Sequence, residues 1–340
     1  LLLLSVVFLA RESASSEIEI THGPILGRLS ATGVGVWART SGPGQFRVRW
    51  GRSPDHLDHV SSPEATRLED DNTGWVHVAG LAPATKYYYL VEPVAAEQPS
   101  TRLRGSFKTL PDADVFRDPE HNPKGLFNFA FEYGCGNHQR PDISLPTFRT
   151  MLQRLKDKID FAILNGDWIY EEKREFTIDQ WRERLSLGDA EIPRLLQIAP
   201  TITGVWENYK LYLERGGNLA RWHRETPSFF TFDDHELLAD LNGTGTVGLR
   251  DRRVVFRDIG VQGWYDYLGW SNPILHKEKI HFGRAKLTAD SDILLDRDSD
   301  FTKLNMEERG TLMAHWGEAT DAIFDPELDK KGGDPNAGVY

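Results

Sequence analysis

The stretch Phe161-Ala162-Ile163-Leu164-Asn165-Gly166-Asp167-Trp168-Ile169-Tyr170-Glu171-Glu172 decides the fold. Its first residues are a short apolar run of strand type. The run breaks off in Asn-Gly-Asp, so a carboxylate stands at the carboxyl end of a buried strand. Open α/β sheets place their ligands there. Tyr170 follows Asp167 by three residues, and one turn of chain can bring phenol and carboxylate to the same point. Upstream, Leu126-Phe127-Asn128-Phe129-Ala130-Phe131 reads as a strand that runs into Gly134-Cys135-Gly136-Asn137. Between the two, Phe148, Met151, Leu152, Leu155 and Ile159 recur at helical spacing, with Arg149, Gln153, Arg154 and Lys156 opposite them. Strand, helix and strand in succession form a βαβ unit, which implies a parallel sheet. Downstream, Ser228-Phe229-Phe230-Thr231-Phe232 predicts a third strand, ending in Asp233-Asp234-His235-Glu236.

Before this α/β region, residues 17–110 read as an all-β domain. Ile18, Ile20, Val34, Val36, Phe46, Val48 and Trp50 alternate with polar or small residues, and breaks such as Ser41-Gly42-Pro43-Gly44 separate the runs. Leu81, Pro83, Thr85, Tyr87 and Tyr89 resemble the L-x-P-x-T-x-Y-x-Y segment of fibronectin type III-like sandwiches. The resemblance implies a corner tyrosine that hydrogen-bonds back to the chain. Residues 110–124 read as a linker, and 125–340 as the second domain. Within it, residues 171–203 are expected to be an excursion over the strand ends, a lid or a solvated insertion. Val205, Tyr209, Tyr212 and Leu213 predict one more helix, and residues 250–268 another. Asp290, Asp292, Asp296, Asp298 and Asp300 form an acidic run without EF-hand spacing, expected to be a solvated loop.

Composition narrows the partners. The 340 residues are 39% hydrophobic and include ten Trp, enough for a full core. The formal net charge of -11 argues against nucleic acid or an anionic membrane surface. Cys135, the single cysteine, makes no intrachain disulfide. Residues 1–16 open on an apolar run followed by Ala14 and Ser16, spaced like a cleavage site. We expect the remnant of a secretory signal peptide and an exported protein. The run is too short to span a bilayer stably.

Three successive strands thus end in potential metal ligands, and in a parallel sheet those ends lie side by side. The spacing resembles the calcineurin-like metallophosphoesterase superfamily, whose pattern runs D-x-H, G-D-x-x-[DY], G-N-H-[DE]. Cys135-x-Asn137 stands at the first block, Gly166-Asp167-x-x-Tyr170 at the second and Asp233-Asp234-His235-Glu236 at the third. The Cys, the G-D-x-x-Y-E and the D-D-H-E together are similar to the PhoD-like alkaline phosphatase/phosphodiesterase branch. That branch also carries an N-terminal fibronectin-like domain. The resemblance implies an α/β metallophosphoesterase domain behind a fibronectin type III-like β-sandwich. It implies metal ligands at Cys135, Asn137, Asp167, Tyr170 and Asp234, and His235 as the group that protonates the leaving alkoxide.

The residue types suit that chemistry. Phenol and thiol bind metals as anions, with free pKa values of about 10 and 8.5. Ferric iron can hold both deprotonated, while carboxylate and amide oxygens suit calcium. Two cations roughly 3.5–4 Å apart can clamp a phosphate ester and activate a hydroxide for in-line attack. The branch implies ferric iron with calcium and a phosphate-ester substrate. Arg252 and Arg253 are candidate phosphate contacts.

The chain departs from the pattern in three ways. Asn137 is a neutral ligand. Ala239 and Asp240 stand where an Asn is expected after D-D-H-E, with Asn242 displaced. No G-D-x-H block follows, and His281 and His315 stand in other contexts. The chain is therefore expected to be a fragment holding most of one metal site and part of the other. Two alternatives stay open: a purple acid phosphatase-like hydrolase, and a non-catalytic exported binding protein.

Overall fold

The alternating residues of the first domain form two packed antiparallel sheets. The structure is a computed structural model and describes residues 17–94, 103–133, 144–173, 175–237, 254–273, 280–297 and 299–303. The strands are β1 (Ile20–Gly27), β2 (Gly33–Thr40), β3 (Gly44–Gly51), β4 (His59–Val60), β5 (Glu64–Thr66), β6 (Thr73–Ala79), β7 (Lys86–Pro93) and β8 (Leu103–Lys108). One sheet runs β1-β2-β6; the other runs β4-β3-β7-β8, with β5 also paired to β3. Val34, Val36, Ala38, Phe46, Val48, Tyr89 and Val91 meet between the sheets and exclude water. The Tyr87 hydroxyl accepts a hydrogen bond from Ala82 N at 2.9 Å, which is the corner tyrosine that the sequence implied.

Alternation along β2 hides a second buried face. Every residue from Gly33 to Thr40 is buried. Val34, Val36 and Ala38 point into the sandwich, whereas Trp37 joins the core of the following layer and donates Nε1–H to the Asp266 carbonyl at 2.8 Å. Gly35 leaves room there for Trp270, whose ring would stand 2.7 Å from an added Cβ.

The second layer begins with α1 (Ala113–Arg117) and β9 (Phe129–Tyr133), then α2 (Pro146–Leu155) and β10 (Phe161–Asn165). The short helices α3 (Ile178–Arg184) and α4 (Arg194–Ile198) lead to α5 (Ile202–Arg215), α6 (Gly217–Glu225) and β11 (Ser228–Thr231). After α7 (Val254–Tyr267), a small hairpin pairs β12 (Lys286–Leu287) with β13 (Leu294–Leu295). β10 lies between β9 and β11 and is parallel to both, with Asn165 opposite Thr231. Antiparallel sheets at the front and a parallel sheet with helices behind give the expected α/β class.

Several local expectations change. β9 starts at Phe129 rather than Leu126. Asp160 N donates to the Asn128 carbonyl at 2.6 Å and Asn128 N to the Asp160 carboxylate at 3.1 Å, so pairing begins beyond that clasp. Leu126 and Phe127 are left 63% and 41% exposed. Within residues 171–203, α3 packs on the sandwich rather than standing in solvent. Trp181, in α3, is fully buried and donates Nε1–H to Asp71 of the sandwich at 2.9 Å. The acidic run is not wholly solvated either, since Asp296 is buried and both its carboxylate oxygens accept from Arg194 Nη2, at 3.0 and 3.2 Å. α6 escaped the periodicity because only Gly216 separates it from α5. Leu219, Trp222 and His223 nonetheless form its buried face. Among the described residues, no helix is long and apolar enough to cross a membrane.

His223 makes the core acid-sensitive. It is fully buried against Trp168 and Phe230, and its Nε2 accepts the Trp168 indole N–H at 3.3 Å, while Nδ1 has no hydrogen-bond partner. Burial pushes its pKa down to about 3. The unfolded chain, titrating near 6.5, therefore binds the proton first. The stability from a neutral His223 is complete above that value and drains away as the pH falls toward 3. Between about pH 7.5 and about pH 5.5 this one group should cost about 1.4 kcal/mol. Urea unfolding of wild type and His223→Gln at both values checks it, because the variant should lose that much less.

Candidate metal centre

Two adjacent strand ends build the site. β10 stops at Asn165, and the chain turns through Gly166 (φ +79) and Asp167 (φ +49), both left-handed. Gly carries that conformation without strain, and Asp tolerates it better than most residues. Gly166 also has no space for a side chain, since an added Cβ would lie 2.6 Å from both N and Cβ of Asp233. The loop after β10 is thereby pressed on the loop after β11. The Thr231 hydroxyl ties the strand ends by donating to Asn165 Oδ1 at 2.8 Å.

Glu236 clamps the two loops together. Its buried carboxylate accepts backbone N–H bonds from Trp168 at 2.6 Å, Asp233 at 2.9 Å and Asp167 at 3.1 Å. Burial raises its pKa to about 7 against the pull of those bonds.

The clamp brings Asp167, Asp234 and His235 together, with one potential ligand atom of each within 4.8 Å of the others. Tyr170 joins them, its ring centroid 4.2 Å from that of His235. Tyr170 is held by its backbone: its N–H donates to the Tyr212 hydroxyl at 3.2 Å, and its carbonyl accepts from Asn208 Nδ2 at 2.6 Å. The Tyr212 hydroxyl in turn donates to Glu172 at 2.8 Å, which Arg215 also binds. Of the residues singled out in the sequence, Asp167, Tyr170, Asp234 and His235 thus converge. Cys135, Asn137, Arg252 and Arg253 lie outside the described residues.

The electrostatics suit a cation. Asp167 Oδ1 is buried with no hydrogen-bond partner. The carboxyl pKa is raised, first by burial and then by Asp233 and Asp234, against the opposing pull of His235 and Tyr170. A buried carboxylate oxygen crowded by other carboxylates costs free energy that a bound cation would recover. The donor set of carboxylates, imidazole and phenol matches hard or borderline metals.

His235 has a partner that the sequence reading passed over. Its Nδ1 lies 2.8 Å from Glu171 Oε2. Facing a carboxylate, Nδ1 is the donor, which fixes the ring and sets Nε2 as the nitrogen that exchanges a proton. Burial lowers the His235 pKa, but the Glu171 hydrogen bond and the charges of Glu171, Asp234 and Asp167 outweigh it and raise the pKa overall. Glu171 and Glu236 both stood within the quoted motifs, each adjacent to a chosen residue. Asn208 and Tyr212 carried no sequence signal beyond helix periodicity.

The family model for the PhoD-like phosphatase N-terminal domain matches residues 7–111, and that for the PhoD-like phosphatase matches residues 129–284. Among solved structures, that of PhoD is similar at 19% identity and a TM-score of 0.54, over 80% of this chain and 50% of that one. The likeness shows a shared fold, and this chain spans about half the length of that relative. A purple acid phosphatase isolated from yellow lupin (Lupinus luteus) seeds matches at 13% identity and a TM-score of 0.43, over 77% of this chain and 42% of that one. A fibronectin type III domain of human origin matches at 22% identity and a TM-score of 0.21, over 30% of this chain and 93% of that one. No curated protein matches the chain.

Proposed function

The chain belongs to the PhoD-like phosphatase family, and on that premise we propose that it is an exported, metal-dependent phosphoesterase. Asp167, Tyr170 and Asp234 hold metal in this proposal, and His235 is the proton donor. The observation that carries it is the convergence of Asp167, Asp234 and His235 beside Tyr170 at the ends of adjacent parallel strands. Cys135 and Asn137, which follow β9 in the sequence, are proposed to complete the ligand set, and Arg252 and Arg253 to meet the phosphate.

Cations bound there would supply Lewis-acid polarisation of the phosphoryl oxygens and of a water. The chain's own residues supply the rest. Asp167 offers two carboxylate oxygens on a rigid turn, one of them without a partner. Tyr170 brings a phenol oxygen whose backbone is fixed from both sides. His235, its pKa raised by its carboxylate neighbours and its ring oriented by Glu171, gives a proton to the departing alkoxide. The Tyr170 phenol suits ferric iron and the carboxylate oxygens suit calcium, which are the metals proposed. Export is proposed from the apolar run and cleavage-like spacing in residues 1–16.

The test is hydrolysis of p-nitrophenyl phosphate and bis-p-nitrophenyl phosphate, alongside elemental analysis of the same preparation. Cleavage that chelation abolishes, with iron and calcium bound, is the expected result. Absence of metal-dependent cleavage of both substrates would sink the enzyme reading, and zinc alone would sink the metal assignment.

A further inference from the structure

A fully buried ionisable cluster also lies away from the metal centre. Asp71 lies in the sandwich, just before β6, and is fully buried. Arg39 of β2 binds its carboxylate through Nε at 3.1 Å and Nη2 at 3.3 Å. The other donors come from the second layer: Trp181 Nε1 at 2.9 Å, the Tyr267 hydroxyl at 2.6 Å and Lys210 Nζ at 3.1 Å. Lys210 is itself completely buried and also pairs with Glu207 at 3.3 Å. Burial alone would raise the Asp71 pKa, but Arg39 and Lys210 hold it well below the carboxylate range. Asp71 therefore stays ionised, and Lys210, whose pKa burial lowers while the Asp71 carboxylate pulls it back up, depends on that carboxylate, because an uncompensated buried charge is costly.

Lys210 belongs to α5, the helix that holds Tyr170. At 100° per residue, Asn208 and Tyr212 lie roughly 160° around the helix from Lys210 and roughly 40° from each other. One face of α5 is thus anchored on the sandwich through Lys210. The opposite face grips Tyr170 by its carbonyl through Asn208 and by its N–H through Tyr212. A hydrogen-bonded helix is stiff over one turn, so displacement of Lys210 moves both grips together. We infer that Asp71 is a positioning residue for the metal centre: through Lys210 and α5 the N-terminal sandwich sets where Tyr170 stands. The inference rests on the assignment of Tyr170 to the site, and it makes the sandwich a working part of the centre rather than a prop.

Amide exchange in the full chain tests this, because it needs neither metal nor substrate. Asp71→Asn/Lys210→Met removes both charges at once, so no lone charge is left buried. The Tyr170 amide should exchange roughly tenfold faster in it, about the loss of one hydrogen bond. Ala162 and Leu164 of β10 should keep their protection. Tyr212→Phe, which removes the acceptor directly, should give the same increase. Val36→Ala, a plain core truncation in the sandwich, should leave Tyr170 protected. If the double variant does not fold, Tyr267→Phe removes a donor to Asp71 without touching a charge, and a smaller rise at Tyr170 is expected. Unchanged exchange at Tyr170 in the Asp71-side variants, with an increase in Tyr212→Phe, would overturn the coupling. In a folded variant, kcat for p-nitrophenyl phosphate should fall with KM held within roughly twofold, as for a displaced catalytic group. If the wild type hydrolyses no phosphate ester, the proposed function fails, while the exchange result still decides the coupling.

Discussion

Asp167→Asn is expected to lose bound metal and phosphoesterase activity together, while its metal-free form melts at a higher temperature than metal-free wild type. The substitution keeps the shape of the side chain. It also keeps a residue that tolerates the left-handed backbone at φ +49, which alanine would not do as well. What it removes is one negative charge from a cluster with Asp233 and Asp234. Without metal that charge is a liability: burial and the neighbouring carboxylates both disfavour it, and one oxygen has no partner. With metal bound it would be a ligand, as proposed above. Loss of one preorganised electrostatic group at a reacting centre typically costs 100- to 1,000-fold, and loss of a metal ligand should reach at least roughly the upper figure. The opposite signs are the point. A residue kept for folding would destabilise when neutralised, whereas one kept for binding trades stability for function. Thermal melts of the metal-free proteins, elemental analysis and p-nitrophenyl phosphate turnover measure all three consequences. A metal-free variant that melts lower than wild type, or one that still holds its full metal complement, would defeat the assignment.

How much of this was legible depended on where each signal resides. Asp167, Tyr170, Asp234 and His235 could be found because strand ends are marked by local chemistry. An apolar run stopping in Gly-Asp or Asp-Asp-His states both the direction of the strand and what it carries. The corner tyrosine Tyr87 was legible for the same reason, since its partner Ala82 is only five residues away. Partners from afar left no such mark. Trp37 and Arg39 look like ordinary outward residues of a half-buried strand. They are buried because α3, α5 and α7 arrive there from more than 130 residues downstream. Trp181 likewise sits in a charged stretch that suggests solvent, yet its indole reaches Asp71. Asn208 and Tyr212 fall on a helix whose sequence forecast only that it is a helix. Glu236 is intermediate. It stood in the quoted motif, but its function is to bind backbone N–H groups of another loop, and backbone partners have no sequence signature.

That hidden role gives Glu236 the largest expected effect on stability. Glu236→Ala should destabilise the chain by roughly 3–5 kcal/mol, because three N–H groups at the loop junction lose their acceptor and each orphaned buried donor costs about 1–3 kcal/mol. Water entering the space left by the carboxylate would keep the total below the simple sum. Glu236→Gln should fall between, since its amide keeps one acceptor oxygen but turns an NH₂ toward backbone donors. Activity should fall with stability, yet for a separate reason. The N–H groups of Asp167 and Asp233 are among its donors, so the clamp sets the spacing between the loops that carry the proposed ligands. Gly166 cannot take over: it lets the loops approach, because any Cβ there would clash with Asp233, but it has no side chain to hold them. Urea unfolding of the metal-free variants gives the first effect, and turnover at temperatures where each variant is fully folded gives the second. An exposed carboxylate such as Glu69 serves as control, with Glu69→Ala expected within about 0.5 kcal/mol of wild type. Should Glu236→Ala fold within about 1 kcal/mol of wild type and retain full turnover, the clamp would be incidental. The two loops would then have to be held by the sheet alone.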